Sequence, residues 1–399
     1  MEKLVRVAVA VTLVFVLVVG AFVAGIIFDQ QRARSTGLLD FVQSERTLGD
    51  KVSEVEELLN DKALEVPRET SMTAGAIQGM LDGSGDKYAT YFDQKHFEFF
   101  NEQSAGEFGG IGVTIGQKDG SAYVVNVIPG TPAEKAGMKK DDAFVAIDGV
   151  KRDRWDSDEV VKRVRGKEGT MVKLEMRRGT GLKSFNIKRA KINVPNIDSR
   201  ILGKGVGYVR LFSFNQKSTE DIRDAVTELS KKGAKGFVLD LRDNPGGLLE
   251  QAVDIASLFV PSGVIVRVDE RGKPEQESRA TGNVITDAPL VLLVNGDSAS
   301  ASEIVAGALQ DHGRAELVGE KTFGKGSVQT VERLSFGGGV KFTIAHYLTP
   351  DGRTIDGKGV TPEVIVKMDS ENEYDAEFQT DIAKDLQLER AVEVLREKL

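Results

Sequence analysis

An α/β fold, in an α+β multidomain chain, is predicted by three features of this sequence. Strands and helices alternate from about residue 201 to residue 366, which is the pattern of an α/β layered domain. A glycine-punctuated, strand-rich stretch precedes it over residues 106–190. The length of 399 residues, of which 40% are hydrophobic, is enough for two or three domains with real cores. We therefore expect a helical arm over 29–105, the β-rich domain over 106–190, the layered core over 191–370 and a C-terminal helix over 371–399.

In the layered core, three apolar runs predict strands, and three segments with one apolar face predict helices. Ser218 and Asp221 resemble a capping box at the first of these helices, and Gly233 closes it. The predicted strands cover residues 206–212, 236–241 and 290–294, and the predicted helices cover 218–232, 248–259 and 301–310.

The same periodicities predict the elements on either side of the core. In the arm, Leu48, Val52 and Leu59 recur at helical spacing and a second helix begins near Thr70, so we interpret the arm as a packing or dimerising element. A last helix, over about 375–399, carries an apolar stripe that packs on the body or on a second subunit. In the β-rich domain the predicted strands are 113–115, 123–127, 144–147 and 172–176, and the predicted helices are 132–136 and one that begins near Asp156.

The N-terminus carries a candidate membrane anchor. Residues 7–28 are 22 residues without a charge, preceded by Lys3 and Arg6 and followed by Asp29. A helix of that length spans the hydrocarbon core of roughly 30 Å. The flanking charges place the N-terminus in the cytoplasm and the rest of the chain outside a cell membrane that it crosses once. A cleaved signal peptide ending near Ala21 is the alternative, and it would leave the protein secreted or periplasmic.

Composition excludes several classes of chemistry. The formal net charge of -8 and the lack of a basic stripe argue against nucleic-acid binding. Without cysteine the chain has no disulfide, no thiol catalysis and no Cys-ligated metal. The three histidines, His96, His312 and His346, are too far apart in sequence for a His-pair metal motif. We expect neither a metal nor another cofactor.

A segment of small residues follows the predicted strand over 290–294. It reads Asn-Gly-Asp-Ser-Ala-Ser-Ala-Ser-Glu-Ile over residues 295–304 and leads into a helix. The start of a helix offers free N–H groups and the positive end of a dipole, which suits a hydroxyl nucleophile whose product is an oxyanion. Helix capping is the alternative, but capping needs one serine and the segment has Ser298, Ser300 and Ser302. The segment alone leaves open which of them reacts.

Lys325 lies between two glycines in a stretch that turns into a strand. A surface hairpin lysine is one interpretation, and a general base is the other. A lysine base must be neutral, so its pKa must fall from about 10.4 toward 7 to 8, which takes roughly 4 kcal/mol of differential interaction. Desolvation can supply this, and a neighbouring carboxylate would oppose it. Gln329 would suit as an orienter, because an amide can bond the amine without adding charge.

A third segment joins the predicted strand over 236–241 to the next helix. It contains Asn-Pro-Gly-Gly at residues 244–247. The two glycines allow backbone N–H groups to face a reacting carbonyl, and a tight turn without chemistry is the alternative.

Together the three segments resemble those of the carboxyl-terminal processing peptidases, the tail-specific proteases of serine peptidase family S41. The motifs at residues 298–304, 324–329 and 244–247 match closely and in family order, and the resemblance covers residues 106 to about 363 and, more weakly, the flanking helices. It implies a crotonase-like α/β serine peptidase core with an inserted PDZ domain as a mobile lid and sensor.

The resemblance also assigns roles by position. It makes Ser300 the nucleophile and Lys325, 25 residues later, its base. Gln329 then orients the lysine amine, and the backbone N–H groups of Gly246 and Ala301 form the oxyanion hole. The other two serines of the segment are structural.

Two further segments fall within the resemblance. Gly109-Gly110-Ile111-Gly112-Val113 resembles a PDZ carboxylate-binding loop, whose N–H groups capture a C-terminal carboxylate while the strand edge pairs with an extended peptide. Lys87, between Asp86 and Tyr88, stands where the family often has proline. We expect that departure to affect the arm and not the chemistry.

The predicted function is that of a serine endopeptidase with a Ser–Lys dyad that cleaves extracytoplasmic proteins near their C-termini. Its predicted partners are protein tails bound by the PDZ domain, a second copy of the chain in a homodimer, and the membrane. One alternative is a non-catalytic PDZ scaffold that binds peptides at the membrane. A trypsin-like peptidase with a PDZ domain is another, but it needs His, Asp and Ser before that domain, and here Ser300 follows it.

Overall fold

The computed structural model describes residues 46–65, 67–118, 120–193, 196–367 and 385–399. The chain divides into two compact units, Met1–Met80 and Leu81–Leu399. The predicted anchor and its candidate cleavage site lie outside the described residues. Within the described ranges, no helix is both long enough and apolar enough to cross a membrane.

The first unit contains helix α1, Leu48–Lys62, and most of helix α2, Glu69–Gly83. Thr47 and Asp50 form a reciprocal capping box at the start of α1, which accounts for where that helix begins. The apolar stripe predicted in the arm is present, and its large side chains are all exposed in the single chain: Leu48, Val52, Val55, Leu58 and Leu59.

The second unit begins with strand β1, Thr90–Phe92, and helix α3, Gln94–Ala105. The side chain of Asp93 accepts the His96 N–H and so caps the start of α3. Gly106 ends the helix in the left-handed region with φ 70°.

The β-rich domain follows as a five-strand path, β3-β4-β5-β7-β8, with β6 paired to β5 and a separate β2-β9 ribbon. Strand β3 is an edge strand. The four strands predicted from sequence are all present, and β2, β6, β8 and β9 are additional. The elements are β2 Glu107–Gly110, β3 Val113–Lys118, β4 Ser121–Val127, α4 Pro132–Lys135, β5 Ala143–Ile147, β6 Val150–Lys151, α5 Ser157–Val164, β7 Met171–Arg178, β8 Gly181–Lys188 and β9 Ala190–Asn193.

The layered core carries the remaining elements. The three predicted strands and three predicted helices are found with ends shifted by at most two residues. The elements are β10 Ile197–Ile201, β11 Val206–Leu211, α6 Ser218–Lys231, β12 Gly236–Asp240, α7 Leu249–Ser257, β13 Val264–Glu270, β14 Gln276–Arg279, β15 Leu290–Val294, α8 Ala301–Asp311, β16 Ala315–Gly319, β17 Ser327–Arg333, β18 Gly339–Leu348, β19 Val364–Ile365 and α9 Leu386–Arg396.

One sheet of the core has the order β10-β11-β12-β15-β16-β19. Its strands from β11 onward are parallel, and β10 adds an antiparallel edge. Helices α6, α7 and α8 bury their apolar faces in one core cluster with this sheet. Helix α9 belongs to a second cluster with the other side chains of the same strands. The stripe predicted in the last helix therefore packs on the body of the chain, and the alternation of strands and helices gives the expected layers.

The second sheet of the core is antiparallel, in the order β1-β18-β13-β14 with β17 paired to β18. Thr90 of β1 pairs with Lys341 of β18, so a strand from the predicted arm joins the core. The predicted capping box at α6 is wrong. Lys217 is the N-cap there, and the buried Ser218 hydroxyl accepts the Asn215 N–H instead.

Candidate active site

Ser300 occupies the turn between β15 and α8. It is the N-cap residue of α8, with φ 54° and ψ -112°. A positive φ at a residue with a side chain is uncommon, costs of order 1–3 kcal/mol and persists only where the surroundings enforce it. The turn therefore holds Ser300 in a strained conformation at the start of a helix, which is a conformation found at many functional sites.

The turn that follows β12 lies beside the turn that contains Ser300, because β12 and β15 are neighbouring parallel strands. The carbonyl of Asn244 accepts the Ala299 N–H at 3.0 Å and the Ser302 hydroxyl at 2.9 Å. The Ser298 hydroxyl donates to the Leu241 carbonyl at 2.8 Å. Ser298 and Ser302 are fully buried and connect the two turns, as expected of structural serines.

Gly246 is the close neighbour of Ser300 in the turn after β12. Its φ is 96°, and a Cβ there would lie 2.6 Å from the Ala299 carbonyl oxygen and 2.8 Å from the Ala301 nitrogen. Only glycine fits such an approach. The Gly246 N–H donates to the Asn244 side-chain oxygen at 2.9 Å. Ala301 is the first residue of α8, so its N–H has no partner within the helix. Of the two predicted oxyanion donors, the Ala301 N–H has no partner within its helix, whereas the Gly246 N–H already donates to the Asn244 side chain.

Lys325 lies in the turn that leads into β17. Gly324 adopts φ 91°, and a Cβ on Gly326 would lie 2.3 Å from the Asp356 nitrogen. The two glycines therefore let the chain turn tightly on both sides of Lys325. Lys325 and Ser300 line the same cavity.

Two tyrosines complete the surroundings of Lys325. The Tyr347 hydroxyl donates to the Lys325 carbonyl and also interacts with the Ser300 side chain. The Lys325 amine lies 4.9 Å from the centroid of the Tyr88 ring. The segment with the Lys87 departure, which we expected to affect the arm alone, therefore also lies beside Lys325. Asp86 accepts the Thr343 N–H of β18 at 2.6 Å, and this contact brings the segment to the core.

The pKa of Lys325 is lowered, and burial is the main cause. The positive charge of Lys341 lowers it further, while the negative charge of Glu303 acts in the opposite direction. The direction matches what a lysine base requires. The carboxylate that opposes this shift is that of Glu303, a residue to which sequence reasoning assigned no role.

Gln329 lies on β17 and lines the same cavity as Lys325. Its amide nitrogen donates to the Ser327 carbonyl at 3.0 Å and to the Ser327 hydroxyl at 2.8 Å. A bond from Gln329 to the lysine amine is not formed within the described part of the chain. Its role as orienter stays a prediction.

The site adjoins a cavity of about 1160 Å³ that residues of both domains line. On the core side it is lined by Ser300, Ala301, Lys325, Gln329 and Gly246, and on the PDZ-like side by Gly110, Ile111, Gly112 and Val113. The predicted carboxylate-binding loop is shorter than expected, because its first two glycines belong to β2 and pair with β9. Ile111 and Gly112 make the connection to β3. Val161 and Val164 of α5 also line the cavity, so it borders both the edge strand β3 and that helix.

The histidines lie elsewhere. The His312 ring contacts the Val264 carbonyl at 2.7 Å, His346 is exposed on β18, and His96 pairs with Asp93. None of them lines the cavity. In the described ranges, no group of three or more His, Asp or Glu residues is placed to hold a metal.

Sequence reasoning missed Tyr88, Tyr347 and Glu303. The tyrosines come from distant parts of the chain, and only the packing of the second sheet brings them to Lys325. Glu303 did leave a signal. Ser300 and Glu303 have the Ser-x-x-Glu spacing of a capping box, which predicts contact between the glutamate and the serine backbone.

Comparison with known proteins supports the family resemblance. Residues 205–366 match peptidase family S41, and residues 109–188 match the PDZ domain. The carboxy-terminal processing protease CtpA of Bacillus subtilis is 38% identical over 336 residues, which cover 84% of this chain and 70% of that protein. A probable CtpA-like serine protease of Staphylococcus aureus is 38% identical over 320 residues, which cover 79% of this chain and 64% of that protein. A solved putative S41 protease from Bacteroides fragilis, 15% identical, has a TM-score of 0.52 over 86% of this chain and 97% of that one, a likeness of fold.

Proposed function

The chain belongs to peptidase family S41, and from that premise we propose that it is a serine endopeptidase in which Ser300 is the nucleophile and Lys325 its base. The observation that carries the proposal is a strained serine at a helix start that shares one cavity with a lysine whose pKa is lowered by burial. A buried lysine with a lowered pKa can be neutral at the moment of attack, which is what general-base catalysis needs.

The proposed reaction runs through an acyl-enzyme. The neutral Lys325 amine takes the Ser300 hydroxyl proton as the oxygen attacks the peptide carbonyl. The carbonyl oxygen becomes an oxyanion, which accepts from the Ala301 N–H and competes with the Asn244 side chain for the Gly246 N–H. The lysine ammonium returns the proton to the leaving amine, which departs with the C-terminal part of the substrate. A water molecule, deprotonated by Lys325, then hydrolyses the ester and restores the serine.

We assign substrate selection to the PDZ domain. Strand β3 is at the edge of its sheet, and Val113 lies at the end of that strand nearest Ile111 and Gly112. An extended peptide can add to such an edge by main-chain hydrogen bonds while N–H groups capture its terminal carboxylate. Because the same cavity is lined by Ser300, a tail bound at β3 is close to the nucleophile. The proposed substrates are therefore proteins with an accessible C-terminal tail.

The test compares the purified full-length chain with Ser300→Ala on a fluorescence-quenched peptide that ends in a free apolar carboxylate. We expect Ser300→Ala to lower kcat by about 10⁴-fold or more, because the loss of one member of a nucleophile–base pair removes most of the catalysis that the pair supplies. The same peptide with a C-terminal amide should show a higher KM. Equal rates for the wild type and Ser300→Ala would overturn the proposal, and an inactive wild type would favour the peptide-binding scaffold.

We also propose that the chain is anchored in the cell membrane with its peptidase outside. The support is the uncharged stretch over residues 7–28 with basic residues before it. Protease added to intact cells should degrade the peptidase domains. Survival of those domains in intact cells would contradict this topology, and release of a shortened chain into the medium would indicate cleavage.

A homodimer through the arm is proposed on the exposed apolar stripe of α1. Light scattering should give the mass of two chains, and Leu58→Lys together with Val55→Lys should give the mass of one. A wild type with the mass of one chain at micromolar concentration would contradict the dimer.

A further inference from the structure

Glu303 is a fully buried carboxylate between the two halves of the candidate site. One of its oxygens accepts the Ser300 N–H at 2.9 Å and the Lys325 N–H at 2.8 Å. The other accepts the Gly324 N–H at 2.7 Å and the Thr322 hydroxyl at 2.6 Å. A single side chain thus holds the backbone of the nucleophile and the backbone of the base.

Ordinary helix capping explains only one of these four bonds. A capping-box glutamate reaches back to the N–H of its own N-cap residue, here Ser300. The other three donors come from residues 322–325, on a segment 19 to 22 residues further along the chain. Burying a carboxylate is costly unless its oxygens are well bonded, so a capping role alone would not favour a fully buried glutamate.

The bonds of Thr322 extend this connection. Thr322 is buried, and its hydroxyl accepts the Val360 N–H at 2.7 Å while it donates to Glu303. Its orientation is therefore fixed from both sides. The segment that leads to Lys325 is held at Thr322, Gly324 and Lys325, and all three contacts end on the same carboxylate.

We propose that Glu303 is the positioning residue of the peptidase: it sets the strained Ser300 backbone and the Lys325 turn at a fixed separation. This inference rests on the proposed roles of Ser300 and Lys325. Displacements of about 1 Å at a reacting pair lower rates by up to about 10²-fold, so a shared anchor for both partners has a direct effect on kcat.

Several groups face Lys325 from the elements packed around it. Lys341 approaches from β18, and Glu303 from α8. The Tyr88 ring covers the amine, the Tyr347 hydroxyl bonds the Lys325 carbonyl, and Asp356 accepts the neighbouring Gly326 N–H at 3.3 Å. Of the groups that the structure describes, Glu303 and Lys341 are the two that act through charge on the pKa of Lys325, with opposite signs. Removal of the Glu303 charge therefore lowers that pKa further.

The test measures kcat, KM and the pH dependence of kcat for Glu303→Gln and Glu303→Asp in the full-length chain, with kcat normalised to the folded fraction. Glu303→Gln places an amide against N–H donors and removes the charge. We expect kcat to fall about 10²-fold with KM nearly unchanged, and the acid limb of the profile to move to lower pH. Glu303→Asp keeps the charge but shortens the reach, so kcat should fall while the acid limb stays in place.

Glu363→Gln is the matched control, because Glu363 also accepts a backbone N–H, that of Leu317 at 2.8 Å, away from the cavity. It should behave as the wild type. If Glu303→Gln does not fold, Thr322→Val and Thr322→Ser replace it. The valine removes the hydroxyl and should lower kcat, whereas the serine keeps it and should not.

The outcomes separate this inference from the proposed function. If the wild type cleaves the peptide, Ser300→Ala does not, and Glu303→Gln keeps both the kcat and the pH profile of the wild type, the positioning role is overturned and the dyad stands. If the Thr322 variants serve instead, equal kcat for valine and serine overturns it. If the wild type and Ser300→Ala cleave equally, both proposals fall.

Discussion

The two halves of the candidate active site are built in different ways. The half that contains Ser300 and Gly246 is made of backbone turns at neighbouring parallel strands, and buried serines join the turns. The half that contains Lys325 is a glycine-flanked turn at an antiparallel sheet, and side chains from distant segments cover it. One half fixes a geometry, and the other sets the charge state of an amine.

This difference separates the expected effects of substitution. Changes to the serine half should lower kcat without moving its pH dependence, because no titrating group is altered. Changes around the lysine half should move the acid limb, because they alter the balance of burial and charge on one pKa. Glu303 touches both halves and should do both.

The largest effect is expected for Lys325→Met, which keeps the length of the apolar stem and removes the base. We expect activity to fall by about 10⁴-fold or more. Stability should rise, by about 1–3 °C in Tm at pH 7, because burial lowers the pKa of Lys325 below its unfolded value and so destabilises the protonated form in the fold.

The sign of this stability effect is fixed by linkage. The cost of Lys325 is complete below its lowered folded pKa and disappears as the pH rises to the unfolded value of about 10.4. The gain in Tm for Lys325→Met should therefore be present at pH 7 and shrink toward pH 10.4. A Tm below that of the wild type at pH 7 would contradict a buried, destabilised lysine.

The same difference explains which parts of the site could be predicted from the sequence and which could not. The serine half depends on strand order in a local alternation, so Leu290–Val294 and the Asn-Pro-Gly-Gly turn predicted its place at the ends of neighbouring strands. Motif spacing, through the family resemblance, then selected Ser300 among three serines. The lysine half depends on long-range packing. The pairing of β1 with β18, which brings Tyr88 to Lys325, leaves no local pattern in a three-residue strand.

The PDZ-like domain shows the same limit. Its alternating strands were predicted, but β8 and β9 carry exposed polar residues, β2 is four residues long with two glycines, and none of the three has a long apolar run. Their pairing places Gly109 and Gly110 in a strand instead of in the predicted loop. Register between distant strands is a tertiary property, and propensity alone does not determine it.

A smaller effect, confined to the serine half, is expected for Gly246→Ala. The new Cβ would lie 2.6 Å from the Ala299 carbonyl oxygen and meet a φ of 96°, so the turn must shift. We expect kcat to fall about 10²-fold, with an unchanged acid limb, since the oxyanion donors move and Lys325 does not. Gly296→Ala is the control in the neighbouring turn, because a Cβ there meets nothing within 4 Å. A shifted acid limb in Gly246→Ala would show that the two halves are not separable.

The smallest effect is expected for Lys341→Gln, and it tests the lysine half alone. The positive charge of Lys341 lowers the pKa of Lys325, so its removal raises that pKa and leaves less neutral amine at pH 7. Activity at pH 7 should fall by about two- to fivefold and the acid limb should move to higher pH, while the rate at high pH stays that of the wild type. Lys231→Gln, an exposed change at the end of α6, is the matched control.

The shift of the acid limb expected for Lys341→Gln is opposite in sign to that expected for Glu303→Gln, so the two variants together test whether one lysine pKa governs the acid limb. If both variants moved the limb in the same direction, a group other than Lys325 would control it, and the assignment of the base would be wrong.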